Sequence, residues 1–173
     1  MSEEKARGPG AIALGWWRIN IAARENPAAR GLSARLRRGA PLAVLCEPAV
    51  HELARGLGLG SRDADVDRLV RLVSLLAELR ESDAAPLARL LGGKEPILSR
   101  SRFEKLIRAE GDELTTLLRR AIVTADRRCN VTLLAQDLLH WNAGTRNRWC
   151  FHYFGADAPA GDGQKNDLRE TTE

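Results

Sequence analysis

The chain has 173 residues, 44% hydrophobic and 29% charged, which suits one domain or two small ones with a buried core. This content excludes global disorder, no run approaches the ~20 apolar residues of a membrane span, and three scattered cysteines support neither a disulfide framework nor a zinc site. Residues 16–154 hold 23 basic against 16 acidic side chains, a net +7 that exceeds the +4 of the whole chain.

The N-terminal half shows apolar residues at helical spacing. The pattern predicts helices at 11–25, at 27–38 with Asn26 as N-cap, at 48–57 and at 64–79. Residues 81–98 are rich in proline and glycine and predict only one short helical turn, at 86–91. Leu and Ala dominate the apolar residues and aromatics make up 5%, so no strand is predicted.

The C-terminal half predicts further helices. Two lie within 98–120, separated by Gly111, with Ser99 and Asp112 at their N-caps. A third runs from its cap Asn130 to about Trp141, and a last one spans 145–154. The predicted fold class is all-α, with about eight helices in two small bundles. Its parts are an N-terminal bundle at 11–80, a connecting segment at 81–98, a C-terminal bundle at 99–154 and a disordered acidic tail at 155–173.

Basic side chains group on the helix faces turned away from this predicted core. Arg119 and Arg120 each lie about 130° from the centre of their helix's apolar face. Of the 27 basic residues 23 are arginine, whose planar fork binds phosphate through two parallel hydrogen bonds. Codon usage explains part of the preference for arginine, but it does not explain the grouping. The pattern favours a protein that holds a polyanion.

Catalytic equipment is not evident in the sequence. His51, His140 and His152 stand outside any metal-binding motif, and no glycine pattern follows a strand. Residues 1–15 have no continuous apolar region, so they do not predict a signal peptide. We therefore expect a cytoplasmic protein that is not an enzyme and has neither metal nor cofactor.

The segments FEKLIRA (103–109), LLRRAI (117–122) and NVTLLAQDLLHWNAGTRNRW (130–149), followed by Tyr153-Phe154, resemble the CasB family. CasB is the small subunit of Cascade, the type I-E CRISPR surveillance complex. Trp16-Trp17, Arg30-Gly31 and LSARLRR (32–38) resemble the family's opening helices. Together these segments cover most of residues 14–154.

The resemblance implies a non-catalytic, all-α subunit of a ribonucleoprotein. Two copies would form a head-to-tail dimer that contacts the backbone and large subunits, and a basic surface would stabilise the R-loop that CRISPR RNA forms with target DNA. Transferred by position, the nucleic-acid contacts are Arg37, Arg38, Arg102, Arg108, Arg119 and Arg120. Arg30 and Lys105, on the outward faces of their helices, are further candidates. The candidate protein-interface residues are Trp16, Trp17, Arg146 and Arg148.

Other interpretations remain open. Arg108 is placed to pair with Glu104 at i,i+4, and Arg30, Arg102 and Lys105 equally fit a solvated face. Residues 99–120 also fit a helix-turn-helix regulator, although Asp112 and Glu113 would bring negative charge to the DNA at the start of its recognition helix. A third possibility is a purely structural helical adaptor whose arginines face protein carboxylates.

Overall fold

The computed structural model describes residues 7–155, which form ten helices and two very short strands. In chain order these are α1 Pro9–Asn20, α2 Pro27–Arg38, α3 Pro41–Leu45, α4 Pro48–Leu57, α5 Asp63–Leu76, β1 Glu81–Ser82, α6 Leu87–Leu91, α7 Arg100–Arg108, α8 Gly111–Thr124, β2 Arg128–Cys129, α9 Val131–Leu139 and α10 Ala143–Tyr153. The predicted all-α class is confirmed.

Proline and capping residues set the starts of many helices. The first four helices all begin at a proline, whose missing N–H costs nothing in the first helical turn. Asn26, Ser99 and Asn130 accept backbone hydrogen bonds as N-caps, as predicted. The predicted cap at Asp112 is wrong, because α8 begins at Gly111 and its N-cap is Glu110. Gly111 has a φ of +58°, which a side chain would disfavour.

Several predicted boundaries differ from those in the structure. The helix expected at 11–25 ends at Asn20, the helix expected at 64–79 ends at Leu76, and α3 had no counterpart in the prediction. The helix from Asn130 ends at Leu139, and the last helix begins at Ala143, two residues before its predicted start, with Asn142 as its N-cap. Helix ends depend on tertiary contacts that a periodic pattern does not contain.

Two strands form where none was predicted. Glu81–Ser82 pairs in parallel with Arg128–Cys129 after a turn in which Asp126 and Arg127 adopt positive φ. Backbone groups leaving α5 need hydrogen-bond partners, and the Arg80 amide donates to the Arg127 carbonyl at 2.8 Å. Strands of two residues are too short to show an alternating pattern.

The hydrophobic core draws on both halves of the chain. Helix α9 packs against α1 and α5, α10 packs against α6, and nearly all buried hydrophobic side chains form one contiguous cluster. Phe103 stacks on Tyr153 with ring centroids 3.9 Å apart, and the Tyr153 hydroxyl donates to the Leu98 carbonyl at 2.6 Å. The boundaries of two separate bundles stay a prediction, and the predicted tail beyond Gly155 lies outside the described residues.

Within residues 7–155, no helix combines the length and apolar character that crossing a membrane requires.

Candidate nucleic-acid interface

Helices α7 and α8 both turn their apolar faces inward. Phe103 and Leu106 of α7 are 2% and 1% exposed, and burying them directs Arg102 and Lys105 outward at helical spacing. Burial of Leu118 and its neighbours on α8 leaves Arg120 exposed in the same way. The predicted separation of apolar and basic faces is therefore present in both helices.

A cavity of about 370 Å³ lies between these helices, and we call it the α7–α8 groove. Its lining residues are Leu98, Arg102, Lys105, Leu106, Leu117, Arg120, Ala121 and Thr124. Among these described residues there are three cations and no carboxylate, so the groove has a positive rim over an apolar floor. The structure thus brings together three of the basic residues identified in the sequence.

Two of the three groove cations have no partner within residues 7–155. Arg102 and Arg120 make no side-chain hydrogen bond or ion pair there. Lys105 lies 3.6 Å from Glu113, but both side chains are more than half exposed, and such surface pairs contribute little. The groove therefore presents cations that an incoming anion could bind without displacing a strong internal partner.

Arg108 does not form the ion pair that its spacing allows. Arg100 instead takes Glu104, with 3.1 Å between Nε and Oε1. Arg108 is exposed and lines a neighbouring cavity that Glu104 and Glu113 also line, so its surroundings are less positive than the α7–α8 groove.

Arg119 points to a different part of the molecule from Arg120. Its Nε lies 3.2 Å from Oε1 of Glu78, a residue whose side chain is only 6% exposed, and the geometry is that of an ion pair without a hydrogen bond. The other oxygen of Glu78 contacts Arg127. Nucleic-acid binding by Arg119 stays a prediction, and this internal pairing gives it no support.

The three candidate nucleic-acid contacts on α2 have unlike surroundings. Arg30 donates to the Arg24 carbonyl at 2.8 Å and so ties α2 to the preceding loop. Arg37 is half-buried, and burial lowers the pKa of its guanidinium, which Glu78 and Arg127 also influence with opposite signs. Arg38 is exposed and makes no ion pair within the described part of the chain. Of the three, Arg38 is the most available to a nucleic acid.

The candidate interface residues are largely occupied inside the chain. Trp16 and Trp17 are 7% and 3% exposed, and their indole N–H groups donate to the Ala49 and Leu76 carbonyls at 2.8 and 3.1 Å. Arg148 lies 2.9 Å from Asp137. Their contact with partner proteins stays a prediction that this packing does not support.

Asp137 links α9 to α10. Trp149 donates to its Oδ2 at 2.7 Å, and Arg148 donates to Oδ1. Burial raises the pKa of Asp137, and this effect outweighs the two hydrogen bonds, which act in the opposite direction. The surroundings of the carboxylate are therefore those of a structural link rather than a solvent-facing acid.

Sequence reasoning missed a second basic cavity, of about 330 Å³, beside the start of α8. Arg68 and Arg71 of α5 line it together with Arg146 of α10. The spacing of Arg68 and Arg71, three residues apart on one helix, was an available signal. The approach of Arg146 depends on the tertiary fold, and Arg146 also lies 3.3 Å from Glu110.

The described residues contain no group of three or more His, Cys, Asp or Glu side chains that could hold a metal ion. Cys46, Cys129 and Cys150 are unpaired, and burial raises the pKa of the Cys129 thiol to about 12. A thiol with so high a pKa is not a nucleophile at neutral pH.

Fold and groove together define a small all-α protein with a basic, uncompensated groove. The family model for CRISPR-associated protein Cse2 matches residues 32–154, and the chain therefore belongs to that family. Cse2 is the same family as CasB, so the predicted resemblance is confirmed.

A solved structure shows the same fold. A chain in the crystal structure of Escherichia coli Cascade bound to a PAM-containing double-stranded DNA target aligns with a TM-score of 0.58. The alignment covers 83% of this chain and 91% of that chain, at 21% sequence identity. Among curated proteins, none matches the sequence significantly.

Proposed function

We propose that the chain is the non-catalytic small subunit of a type I-E CRISPR surveillance complex, and that its α7–α8 groove holds nucleic-acid backbone in the R-loop. The observation that carries this proposal is the groove itself, where Arg102 and Arg120 face an uncompensated cavity. Membership of the Cse2 family supports the setting, as does the shared fold with a chain of a DNA-bound Cascade.

The groove suits backbone binding because it offers charge and donors rather than a pattern that reads bases. In an RNA-guided complex the guide reads the sequence by base pairing, and R-loop formation is nearly balanced in energy. Small sequence-independent contacts can then shift the equilibrium. Each cation that neutralises a single-strand phosphate adds about 0.7 to the dependence of log affinity on log salt concentration. The three cations of the groove would add about 2.

The proposed protein partners are the backbone and large subunits of the complex and a second copy of the chain, in a head-to-tail dimer. Ile97, Phe151 and Phe154 are 54%, 47% and 65% exposed, so their apolar surface is available to a partner subunit. These residues support a protein contact better than the buried Trp16 and Trp17. The proposed setting is the cytoplasm, where the complex would meet DNA.

A purely structural adaptor is the second candidate function. The pairs of Arg119 and Arg127 with Glu78 favour it, because those arginines compensate a carboxylate of the same chain. A helix-turn-helix regulator fits less well. Asp112 and Glu113 are exposed in the first turn of α8, where a recognition helix would approach the bases.

The test is a salt titration of target-DNA binding by the assembled complex. Replacing Arg102 and Arg120 together by Gln should weaken DNA binding and lower the salt slope by about 1.4 per copy of the subunit, from two lost phosphate contacts. Arg18→Gln, on the exposed side of α1, is the matched control and should change neither quantity.

Two outcomes would decide between the candidates. Intact assembly with unchanged affinity and slope in the Arg102→Gln, Arg120→Gln complex would refute the proposed groove. If the double variant instead fails to assemble, while any complex that does form binds DNA normally, the adaptor function is favoured.

A further inference from the structure

The second basic cavity continues into a neighbouring one, and we call the pair the α5–α10 trough. The two cavities measure about 280 and 330 Å³ and share Arg68, Leu139 and His140 as lining residues. The trough shares no lining residue with the α7–α8 groove. It is therefore a separate feature of the surface, and the proposed function does not account for it.

Four arginines converge on the trough from distant parts of the sequence. Arg7 and Arg68 line the smaller cavity, while Arg68, Arg71 and Arg146 line the larger. Among the described lining residues Glu110 is the sole carboxylate, so the trough has a formal charge of +3 with its histidine neutral. This concentration of like charge in a concave site is unfavourable without an anion.

One of the arginines, Arg71, is held in place before any ligand binds. Arg71 donates from Nε to the Thr115 hydroxyl at 3.0 Å and from one terminal nitrogen to the Gly111 carbonyl at 3.3 Å. These bonds fix the plane of the guanidinium. A preorganised fork loses less conformational entropy when it binds an anion.

Two buried donors on residues that line the larger cavity have no acceptor within residues 7–155. They are Nε1 of Trp141 and Nε of Arg146. A buried donor left without a hydrogen bond destabilises the protein. An oxyanion supplies several acceptor lone pairs at one point, and acceptors are what these two donors lack.

Glu110 is the internal competitor for this site. Its carboxylate lies 3.3 Å from a terminal nitrogen of Arg146, yet its side chain is 80% exposed. A carboxylate so exposed is displaced at little cost, because its ion pair is weak and water replaces its partner. Arg146 can thus exchange Glu110 for a ligand.

We propose that the α5–α10 trough binds a phosphate group. Guanidinium forks bind phosphate through paired hydrogen bonds, and three of them with one indole N–H match an anion with several acceptor oxygens. The phosphate has two chemically equivalent sources, a phosphodiester of a nucleic-acid strand and free phosphate. The trough would give the chain a second anion site that is independent of the α7–α8 groove.

The test follows the indole N–H resonance of Trp141 by NMR in the full chain, with the peak assigned from a Trp141→Phe variant. Inorganic phosphate, acetate and a single-stranded oligonucleotide without terminal phosphates are titrated separately at constant ionic strength. We expect a saturable shift with phosphate and none with acetate. An additional shift with the oligonucleotide identifies the phosphodiester as the source, whereas a response to phosphate alone identifies free phosphate.

Variants connect the signal to the trough. Arg68→Gln, an exposed position, should weaken phosphate binding about tenfold, the effect of losing one charge-assisted hydrogen bond. Glu110→Gln should tighten binding because it removes the competing carboxylate. Arg18→Gln and the double variant of Arg102 and Arg120 should bind phosphate as the parent does.

Three results would overturn the proposal. The first is that neither phosphate source gives a saturable shift. The second is that acetate and phosphate give equal shifts, and the third is that both Arg68→Gln and Glu110→Gln bind phosphate as the parent does. Equal shifts with acetate would instead assign the trough to carboxylates of a protein partner. The Arg102→Gln, Arg120→Gln chain keeps the trough intact, so failure of the groove proposal leaves this test unaffected.

Discussion

Glu78 provides the most informative perturbation of the internal charges. Its side chain is 6% exposed and contacts Arg119 on α8 and Arg127 in the turn before β2. Replacing Glu78 by Gln would keep its size but leave the two arginines without their counter-charge. We therefore expect Glu78→Gln to destabilise the fold.

The expected size follows from burial. Removing one partner of a buried ion pair costs about 3–5 kcal/mol. The side chains of Arg119 and Arg127 are 37% and 24% exposed and can rehydrate, so we expect the lower end, about 3 kcal/mol. With a urea dependence of about 2 kcal/mol per molar, the unfolding midpoint would fall by about 1.5 M.

The assay is urea unfolding of the full chain followed by circular dichroism, with two neighbouring arginines compared. Arg119→Gln should cost about 1 kcal/mol, since Glu78 keeps Arg127 and the lost side chain is more than a third exposed. Arg120→Gln should change stability by less than about 0.5 kcal/mol. An unchanged urea midpoint in Glu78→Gln would refute the reasoning. It would also be refuted if the two arginine variants were equally stable and Arg119→Gln lost DNA affinity.

Two further predictions concern glycine packing and pH. A Cβ at Gly92 would lie 1.9 Å from the Tyr153 carbonyl oxygen, so Gly92→Ala should lower the free energy of unfolding by about 2–3 kcal/mol. A Cβ at Gly15, in α1, would meet open space, so Gly15→Ala should raise the free energy of unfolding by about 0.5–1 kcal/mol. Thermal unfolding of both variants checks this contrast. Burial holds the folded-state pKa of Asp137 above its unfolded value of about 3.9. The resulting contribution to the free energy of unfolding is fully present below pH ~3.9 and is lost as the pH rises through the folded-state pKa. Asp137→Asn, which keeps an acceptor for Trp149, should lack this pH dependence. If the urea midpoints of parent and variant change in the same way between about pH 4 and 7, the prediction is contradicted.

Local signals in the sequence predicted much of the helical framework. Proline and cap residues such as Asn26, Ser99 and Asn130 act within three residues, so their effect can be predicted without knowing the fold. The same holds for Arg102, because burial of one face of α7 directs it outward.

Long-range pairing could not be predicted from those signals. Arg119 and Arg120 lie about equally far from the apolar face of α8, and the helix alone does not say which side meets the rest of the fold. The structure places Arg119 beside Glu78, 41 positions earlier in the chain, and leaves Arg120 in the groove. The approach of Arg146 to Arg68 and Arg71 likewise depends on how α10 packs relative to α5.

The most direct measurement of the central claim is site-specific photo-crosslinking from the rim of the α7–α8 groove. A photoreactive side chain at Thr124, an exposed lining residue, would be compared with one at Ile19, which is 74% exposed on α1. In the assembled, target-bound complex, we predict a nucleic-acid adduct from position 124 and none from position 19. Adducts from position 124 to protein subunits alone would contradict the claim that this groove holds nucleic-acid backbone.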